Sequence, residues 1–490
     1  MAAEEEQNPQ GVPEQEPSRW GAFAYANYRR YWISMVARVF GLQFRFIGQS
    51  WLVFVELDKS PIWLGIVGLA SALPTILLSV PAGIVADRYD NRRILVGSQT
   101  ATALLTFVLA ALVVSDLVTI WMVVVWSILV GALAALANPA QSAILPRLIE
   151  MHAMPSAVAF MSSVWNSMRI IGPALAGAMI AVIGTGQAFT VTAGGFALSA
   201  ILLATLKLKP IDRSSQGDDG GMFEGVRYIF GNRLFLATIG LSFFTSVFGS
   251  SYQTLLAVFS EDILGVGATG FGLMEAAAGV GGFLGTLAII KVGAGRYAGL
   301  IMLGAAALFG IFIAGFAGSR SLQLSMALLF AAGFTSSLYL NIGMTTLQLM
   351  VPDELRGRVM GVWSMTWFLA TLGGLPAGVL AEVIGAPWTV ALGSLSVTAF
   401  ASSSTANAVT ESDPRATAGN SGGGRRGRLA LVRFALGEGD QRGRRLDAIE
   451  RSDAVGKDRR NVGQTGSLEF DDDVVRPHHL VHLADAGEGR

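Results

Sequence analysis

Long runs of apolar residues, separated by short polar segments, recur along residues 32–402 of the chain. Each run is about 20 residues long, the length that an α-helix needs to cross the hydrocarbon core of a bilayer. The pattern therefore predicts an all-α polytopic membrane protein with twelve membrane-spanning helices. The predicted spans are residues 32–55, 62–86, 94–114, 117–139, 158–182, 187–207, 234–260, 270–292, 297–318, 321–347, 358–384 and 386–402.

The spans form two groups of six, separated by a polar segment at 208–233 that we interpret as a cytoplasmic linker. The linker divides an N-terminal six-helix bundle, 32–207, from a C-terminal one, 234–402. An acidic, proline-containing stretch at 1–31 is predicted to be an N-terminal arm. The last span is short, and residues 403–490 change abruptly to glycine, arginine and acidic residues. This tail is interpreted as disordered or as the product of a frameshift.

The two groups of spans resemble each other. GAMIAVIG at 177–184 matches GVLAEVIG at 378–385, Asn138 corresponds to Asn341, and Gly83 corresponds to Gly285, all at nearly the same offset. Three landmarks in one order indicate a duplicated six-helix unit, which is the plan of transporters with a binding site between two halves.

Lys and Arg are distributed unevenly between the predicted loops. If the N-terminus is inside, the loops outside the membrane hold only Lys59 and Arg320, whereas Arg88, Arg147 and many others lie in the inner loops. The positive-inside rule therefore predicts that both termini are cytoplasmic and that the chain is a multi-pass protein of the cell inner membrane.

Composition narrows the function classes. Of the 490 residues, 52% are hydrophobic and only 14% are charged, and the mean hydropathy is +0.53. The absence of cysteine excludes thiolate metal sites, disulfides and cysteine nucleophiles. The sequence contains no nucleotide-binding or metal-binding motif, so we expect no enzyme activity, no cofactor, no metal and no nucleic-acid partner.

GIVADRYDNRR at 83–93 resembles the loop motif between the second and third helices of the major facilitator superfamily, with Gly83, Asp87, Arg88 and Arg92 at matching positions. Asp90 stands where that motif commonly has glycine. RIIGPALAGAM in the fifth span resembles the glycine-proline element of proton-coupled antiporters. Three stretches resemble the branch of this superfamily that contains the enterobactin exporter and macrolide and multidrug efflux proteins. They are WLVFVELDKSPIWLGIVGLASALP, RIIGPALAG and VPDELRGRVMGVWSM. The arginine-glutamine element that many drug:proton antiporters carry in the fourth span is absent.

The resemblance implies gating residues at the cytoplasmic ends of the second and eleventh spans. Asp87 is expected to cap or pair with the start of the eleventh span in one conformational state only. The arginines of 83–93 have an alternative interpretation, in which they merely satisfy the positive-inside bias. The predicted gating residues are Gly83, Asp87, Arg88, Arg92, Arg356 and Arg358. Gly172, Pro173 and Gly177 are predicted to bend the fifth helix.

Two arginines inside the spans suggest an electropositive cavity, because an ionisable group at bilayer depth usually faces a cavity or a partner. Arg45 shares a helical face with Arg38 and Gln49, and Arg169 lies near the middle of the fifth span. Burial between helices is the alternative for Arg45 and Arg169, and snorkelling to the inner surface is the alternative for Arg38. The predicted cavity residues are Arg45, Gln49, Trp165, Asn166, Arg169, Tyr252, Gln253, Tyr339, Asn341, Trp363 and Trp367.

Carboxylates are scarce in the spans. Glu275 is the one acid clearly inside a span, and a desolvated carboxyl there could carry the coupling proton. Its alternative role is a solvated residue near the end of the eighth span. Four acids lie at span ends and are expected to contact water, namely Glu56, Glu261, Asp262 and Glu382.

Together these features predict a monomeric secondary transporter in the lipid bilayer that exports a small amphipathic molecule, of siderophore or drug type, by alternating access and proton antiport. Uptake of a small metabolite in the same fold is the first alternative. A non-transporting membrane scaffold or sensor is the second.

Overall fold

The computed structural model describes residues 21–206, 233–249, 251–292, 298–351, 359 and 372–410, which are helical apart from short connections. The helices are α1 (Ala26–Trp51, continued by a π-helical turn at Leu52–Glu56), α2 (Ile62–Arg88), α3 (Asn91–Val114), α4 (Ile120–Ile144), α5 (Met154–Ile183), α6 (Thr185–Ala204), α7 (Arg233–Phe244, a π-helical turn at Thr245–Gly249 and Ser251–Val258, followed by a second π-helical turn at Phe259–Ile263), α8 (Gly267–Val292), α9 (Ala298–Gly318), α10 (Leu322–Met350), α11 (Leu372–Ile384) and α12 (Ala386–Thr410).

Eight of these helices, α2–α6 and α8–α10, are long and apolar enough to cross a membrane. Four arginines within Ala26–Trp51 make α1 much less apolar than its neighbours. The helical architecture confirms the predicted polytopic fold class.

The helices of the two halves pack in the same pairings. In the first half, α2 packs on α4, and α3 packs on both α4 and α6. Six helices later, α8 packs on α10, and α9 packs on both α10 and α12. The structure therefore repeats the six-helix unit that the sequence landmarks indicate, and the two halves meet along α5 and α8.

The first helix begins earlier than the predicted span. The backbone N–H of Ala22 donates to Ser156 Oγ at 2.7 Å, and the Tyr28 hydroxyl donates to the Ala157 carbonyl at 2.9 Å. The Phe23 ring packs edge-on against Phe160 with centroids 4.4 Å apart. Residues 21–31 are thus part of the helical body because their aromatic side chains pack on α5, and the arm predicted for 1–31 is wrong for this portion.

The last helix is longer than predicted. It continues to Thr410 instead of ending at 402, so the prediction of a short twelfth helix is wrong. The Ser403 hydroxyl donates to the Phe400 carbonyl at 2.9 Å, so this hydroxyl is satisfied within the helix beyond the end of the apolar run. The rest of the tail, 411–490, lies outside the described residues, as do most of the predicted linker and the predicted residues Arg356, Arg358, Trp363 and Trp367.

Candidate functional site

A cavity of about 470 Å³ lies between the two halves, and we call it the interface cavity. Its wall comes from α1 and α5 on one side and from α7–α10 on the other. The lining residues are Gln43, Phe46, Trp165, Asn166, Arg169, Pro173, Thr245, Ser246, Tyr252, Gln253, Glu275, Phe309, Ser336, Tyr339 and Leu340. Aromatic side chains and amides thus surround one basic and one acidic residue.

Arg169 and Glu275 supply the two charges of the interface cavity. Glu275 Oε1 is buried and has no hydrogen-bond partner among the residues that the structure describes. Arg169 attracts the Glu275 carboxylate electrostatically. The carboxyl group therefore faces the cavity and its counter-charge, rather than being a free surface acid.

Close packing of α5 on α8 brings these two residues together. A Cβ atom at Gly279 would lie 2.5 Å from the Arg169 carbonyl oxygen, which is closer than a side chain can approach. Gly279 lies one turn from Glu275 along α8. Because glycine allows this backbone contact, Arg169 of α5 and Glu275 of α8 line the same cavity.

A second cavity, of about 590 Å³, lies within the first half between α1, α2, α4 and α5, and we call it the arginine cavity. Its lining residues are Arg38, Leu42, Arg45, Ser71, Ala72, Thr75, Gly131, Ala134, Asn138, Gln141, Ser142, Met161 and Trp165. No acidic residue lines it among the described part of the chain. Trp165 lines both cavities.

The two arginines of this cavity are held by neutral groups only. Arg38 is 9% exposed, and its guanidinium donates to Gln141 Oε1 and, at 3.4 Å, to Asn138 Oδ1. Arg45 Nε is buried without a hydrogen-bond partner in the described residues. Arg38 is therefore buried and does not snorkel, and the amides of α4 that hold it are not among the predicted cavity residues.

The interface cavity contains most of the predicted cavity residues that the structure describes. Arg45 instead lines the arginine cavity. The predicted residues that line the interface cavity are Trp165, Asn166, Arg169, Tyr252, Gln253 and Tyr339. Gln49 and Asn341 line neither cavity, and the Asn341 amide donates to the Ser337 carbonyl at 2.8 Å.

The three residues predicted to bend α5 all lie at contacts. Pro173 lines the interface cavity, and a Cβ at Gly172 would lie 2.7 Å from Gln43 Cβ. Gly177 packs against the backbone of α8 at Ala268. These contacts explain the small residues, and the bend itself stays a prediction.

The charged stretch 83–93 is partly structural. Asp90 accepts a hydrogen bond from the Arg92 backbone N–H at 3.0 Å and so caps the N-terminus of α3. The Arg92 guanidinium donates to the Ala204 carbonyl at the end of α6, where a cation is favoured by the helix dipole. Asp87 and Arg88 are exposed, and a Cβ at Gly83 would meet nothing within 4 Å.

At the opposite end of α2 the two halves are in tight contact. A Cβ at Gly65 would lie 2.6 Å from the Gly374 carbonyl oxygen, and a Cβ at Gly378 would lie 2.7 Å from that of Pro61. The Ser60 hydroxyl donates to Glu382 at 3.4 Å. The start of α2 and α11 therefore meet backbone to backbone at this end, which we call the Glu56 face because Glu56 also lies there.

A duplicated helical bundle with a cavity between its halves is the architecture of a membrane transporter. The chain matches the sequence model of the MFS_3 family, described as "Transmembrane secretion effector", over residues 17–421. It therefore belongs to this family of major facilitator transporters, which confirms the resemblance of 83–93 and the expectation that the chain is not an enzyme.

Curated relatives are similar over most of their length. The staphyloferrin A transporter of Staphylococcus aureus is 28% identical over 350 residues, which are 69% of this chain and 85% of the relative. The multidrug efflux pump Tap of Mycolicibacterium fortuitum is 28% identical over 349 residues, 68% of this chain and 84% of the pump. These proteins identify a siderophore and multidrug efflux branch, as the sequence motifs indicate.

Solved structures share the fold. The nucleoside transporter NupG superposes with a TM-score of 0.61 at 14% identity, covering 77% of this chain and 98% of NupG. A bacterial homologue of the human lysosomal transporter Spinster, in an inward-facing and unoccupied conformation, gives 0.55 at 17% identity over 76% and 94%. The chain is thus a multi-pass membrane transporter for a small molecule in the lipid bilayer.

Proposed function

We propose that this transporter exports a small amphipathic molecule, of siderophore or drug type, from the cytoplasm in exchange for protons, and that it acts as a monomer. The observation that carries the proposal is the presence of Arg169 and Glu275 in the lining of one cavity between the two halves. A titratable acid and a cation between two mobile halves are the elements that alternating access with proton coupling requires.

The distribution of charge supports a cytoplasmic location for both termini. Arg88, Arg92 and Arg147 lie at the end of the bundle where α1 begins, whereas Glu56, Glu261 and Glu382 lie at the Glu56 face. Basic loops favour the cytoplasmic side of the membrane. This orientation makes the Glu56 face the external one, in the inner membrane of the cell.

The contacts between α2 and α11 support an external gate. At the Glu56 face, Gly65 and Gly378 allow backbone contact across the halves, while at the other end of α2 Gly83 has open space and Asp87 is exposed. In the proposed cycle the external contact opens as Asp87 and Arg88 engage the start of the eleventh span, where Arg356 and Arg358 lie in the sequence. The two sets of contacts alternate, so their difference in free energy sets the population of each state.

Glu275 is the proposed proton carrier. Protonation removes the charge that attracts Arg169 and frees the guanidinium to contact the substrate, and deprotonation restores the pair after the substrate leaves. A carboxylate in a protein cavity at bilayer depth is costly when it has no partner, so the pair couples the two events. The names of the staphyloferrin A transporter and the Tap pump support a siderophore or drug as cargo.

The proposal is tested by expressing the full chain in an efflux-deficient bacterial host and measuring which compounds it extrudes, with and without an uncoupler. Glu275→Gln is expected to abolish uncoupler-sensitive efflux, because a glutamine cannot exchange a proton. Glu261→Gln, which neutralises an exposed acid at the Glu56 face, is the matched control and is expected to retain efflux.

Efflux that is unaffected by the uncoupler, or that survives Glu275→Gln, would contradict proton exchange. Energy-dependent accumulation in place of extrusion would contradict export and favour the uptake alternative.

A further inference from the structure

We propose that the arginine cavity is a second ligand site, which binds the carboxylate groups of an organic anion with at least two negative charges. This inference rests on the proposed transport function, because it names the chemical class of the cargo. It uses residues outside the Arg169–Glu275 pair, so the two proposals are separable by experiment.

The first reason is uncompensated charge. Arg38 is 9% exposed and its guanidinium contacts only the amide oxygens of Gln141 and Asn138, which are neutral. Among the described residues of α1, α2, α4 and α5 the one acid is Asp87, which is exposed at the far end of α2. Two cations in a cavity whose described lining holds no carboxylate favour an anionic ligand, because burial of an unpaired charge is costly.

The second reason is unused hydrogen-bonding capacity. Arg45 Nε is buried and has no acceptor among the described residues, although Arg45 lines the same cavity as Arg38. A guanidinium offers donors in a planar fork that matches a carboxylate. A carboxylate bound at Arg45 would satisfy a donor that the protein leaves unsatisfied.

The third reason is spacing. Arg38 and Arg45 are seven residues apart on one face of α1, which separates them by about 10 Å along the helix axis. Both arginines line the one cavity, so a linear molecule with a carboxylate at each end can contact both of them. The cavity of about 590 Å³ accommodates such a molecule.

The position of Trp165 connects this site with transport. Its indole is 45% exposed and lines both the arginine cavity and the interface cavity. An amphipathic anion could therefore rest its apolar part on Trp165 while its carboxylates contact Arg38 and Arg45. The charge selects the cargo in one cavity, and the Arg169–Glu275 pair couples its movement in the other.

The test measures ligand binding to the purified full-length protein by thermal unfolding. The probes are sebacate, which has a carboxylate at each end, its monomethyl ester and its dimethyl ester. A ligand that binds the folded state raises the unfolding midpoint in proportion to its affinity. We expect the largest shift with sebacate, a smaller one with the half ester and none with the diester at equal concentration.

Arg38→Gln and Arg45→Gln are each expected to weaken sebacate binding by at least about tenfold, since each removes a charge-assisted contact. Arg93→Gln removes an exposed arginine at the start of α3 and is the matched control, with no change expected. Arg38→Lys and Arg45→Lys keep the charge and are expected to bind with intermediate affinity.

If sebacate and its diester raise the unfolding midpoint of the unmodified protein equally, the proposed anion site is wrong. This outcome does not depend on whether any variant folds. Sebacate binding without uncoupler-sensitive efflux would reject proton-coupled export but not the anion site. Uncoupler-sensitive efflux of a neutral compound without sebacate binding would reject the anion site but not export.

Discussion

The two cavities share Trp165 and differ in how their charges are balanced. In the interface cavity a guanidinium on α5 faces a carboxylate on α8, so the empty cavity is close to neutral. In the arginine cavity the described lining gives two arginines amide, hydroxyl and apolar neighbours and no carboxylate. A neutral pair can be broken and restored within a cycle, whereas the proposed anion site obtains its counter-charge from a ligand.

The largest expected effect comes from breaking the balanced pair. Arg169→Gln leaves the Glu275 carboxylate without its cation, and we expect a loss of about 3 kcal/mol in the free energy of unfolding because a buried charged group then lacks a partner. Thermal unfolding of the purified protein measures this loss. The double variant Arg169→Gln/Glu275→Gln is expected to recover most of it, and a double variant as unstable as the single one would show that the two residues are not coupled.

A second large effect concerns which side of the membrane the cavities face. In Gly65→Ala the added Cβ meets the Gly374 backbone at 2.6 Å, which cannot move aside as a flexible side chain can. We expect the α2–α11 contact to weaken and the protein to populate the externally open state.

Because the chain has no cysteine, single cysteines at Ser142 and Ser336 can report access to the arginine cavity and the interface cavity. Thiol labelling from outside is expected to rise several-fold for both sites in Gly65→Ala. Gly97→Ala is the control, because its added Cβ meets nothing within 4 Å. A rise at only one site would show that the cavities open independently.

A smaller effect of opposite sign is expected in the unbalanced cavity. Arg45→Gln removes a half-buried charge that has no anionic partner among the described residues, so the ligand-free protein should become more stable by about 1 kcal/mol. The same unfolding measurement checks this. Destabilisation comparable to that of Arg169→Gln would mean that Arg45 already has a counter-charge and would remove the difference between the cavities.

The smallest effect lies outside both cavities, at Glu56, beyond the predicted first span. Partial burial and the nearby Asp116 raise the pKa of Glu56 above its ordinary value of 4.5. Because the folded state binds this proton more readily than the unfolded state, the charged carboxylate penalises folding once the pH exceeds the folded-state pKa. The penalty disappears as the pH falls below the ordinary value, where both states are protonated.

Glu56→Gln is therefore expected to raise the unfolding midpoint slightly at neutral pH, with the difference vanishing in acid. Glu261→Gln is the control, because this acid is exposed and its removal is expected to leave the unfolding midpoint unchanged. A gain for Glu56→Gln that persists in acid would assign the effect to packing rather than to charge.

The fold could be predicted from the sequence because each span carries its own signal. Apolar length, loop charge and the repeat at 177–184 and 378–385 are local features, and the helices and their repeated pairings agree with them. The errors lie where local signals are ambiguous. Tyr28 anchors the start of α1 through a contact on α5, and α12 continues past the apolar run to Thr410.

The site was predictable in its residues but not in its arrangement. Arg45 and Arg169 were grouped in one electropositive cavity because both are charges inside spans. The structure places them in separate cavities, and of the two described linings the one at Arg169 contains an acid. Asn138 carries a signal as a landmark of the repeat and Gln141 only its polarity near the end of α4, and neither signal indicates that the two amides hold Arg38.

The sequence by itself determined the class of protein, the number of spans and the presence of costly charges within them, because hydropathy and residue type are properties of single segments. Only the tertiary structure decided which charges meet. Arg169 and Glu275 line one cavity because Gly279 lets α5 and α8 touch, and Arg38 contacts Gln141 because α1 and α4 line one cavity. Such pairings depend on the register between helices distant in sequence, which no periodicity along one helix encodes.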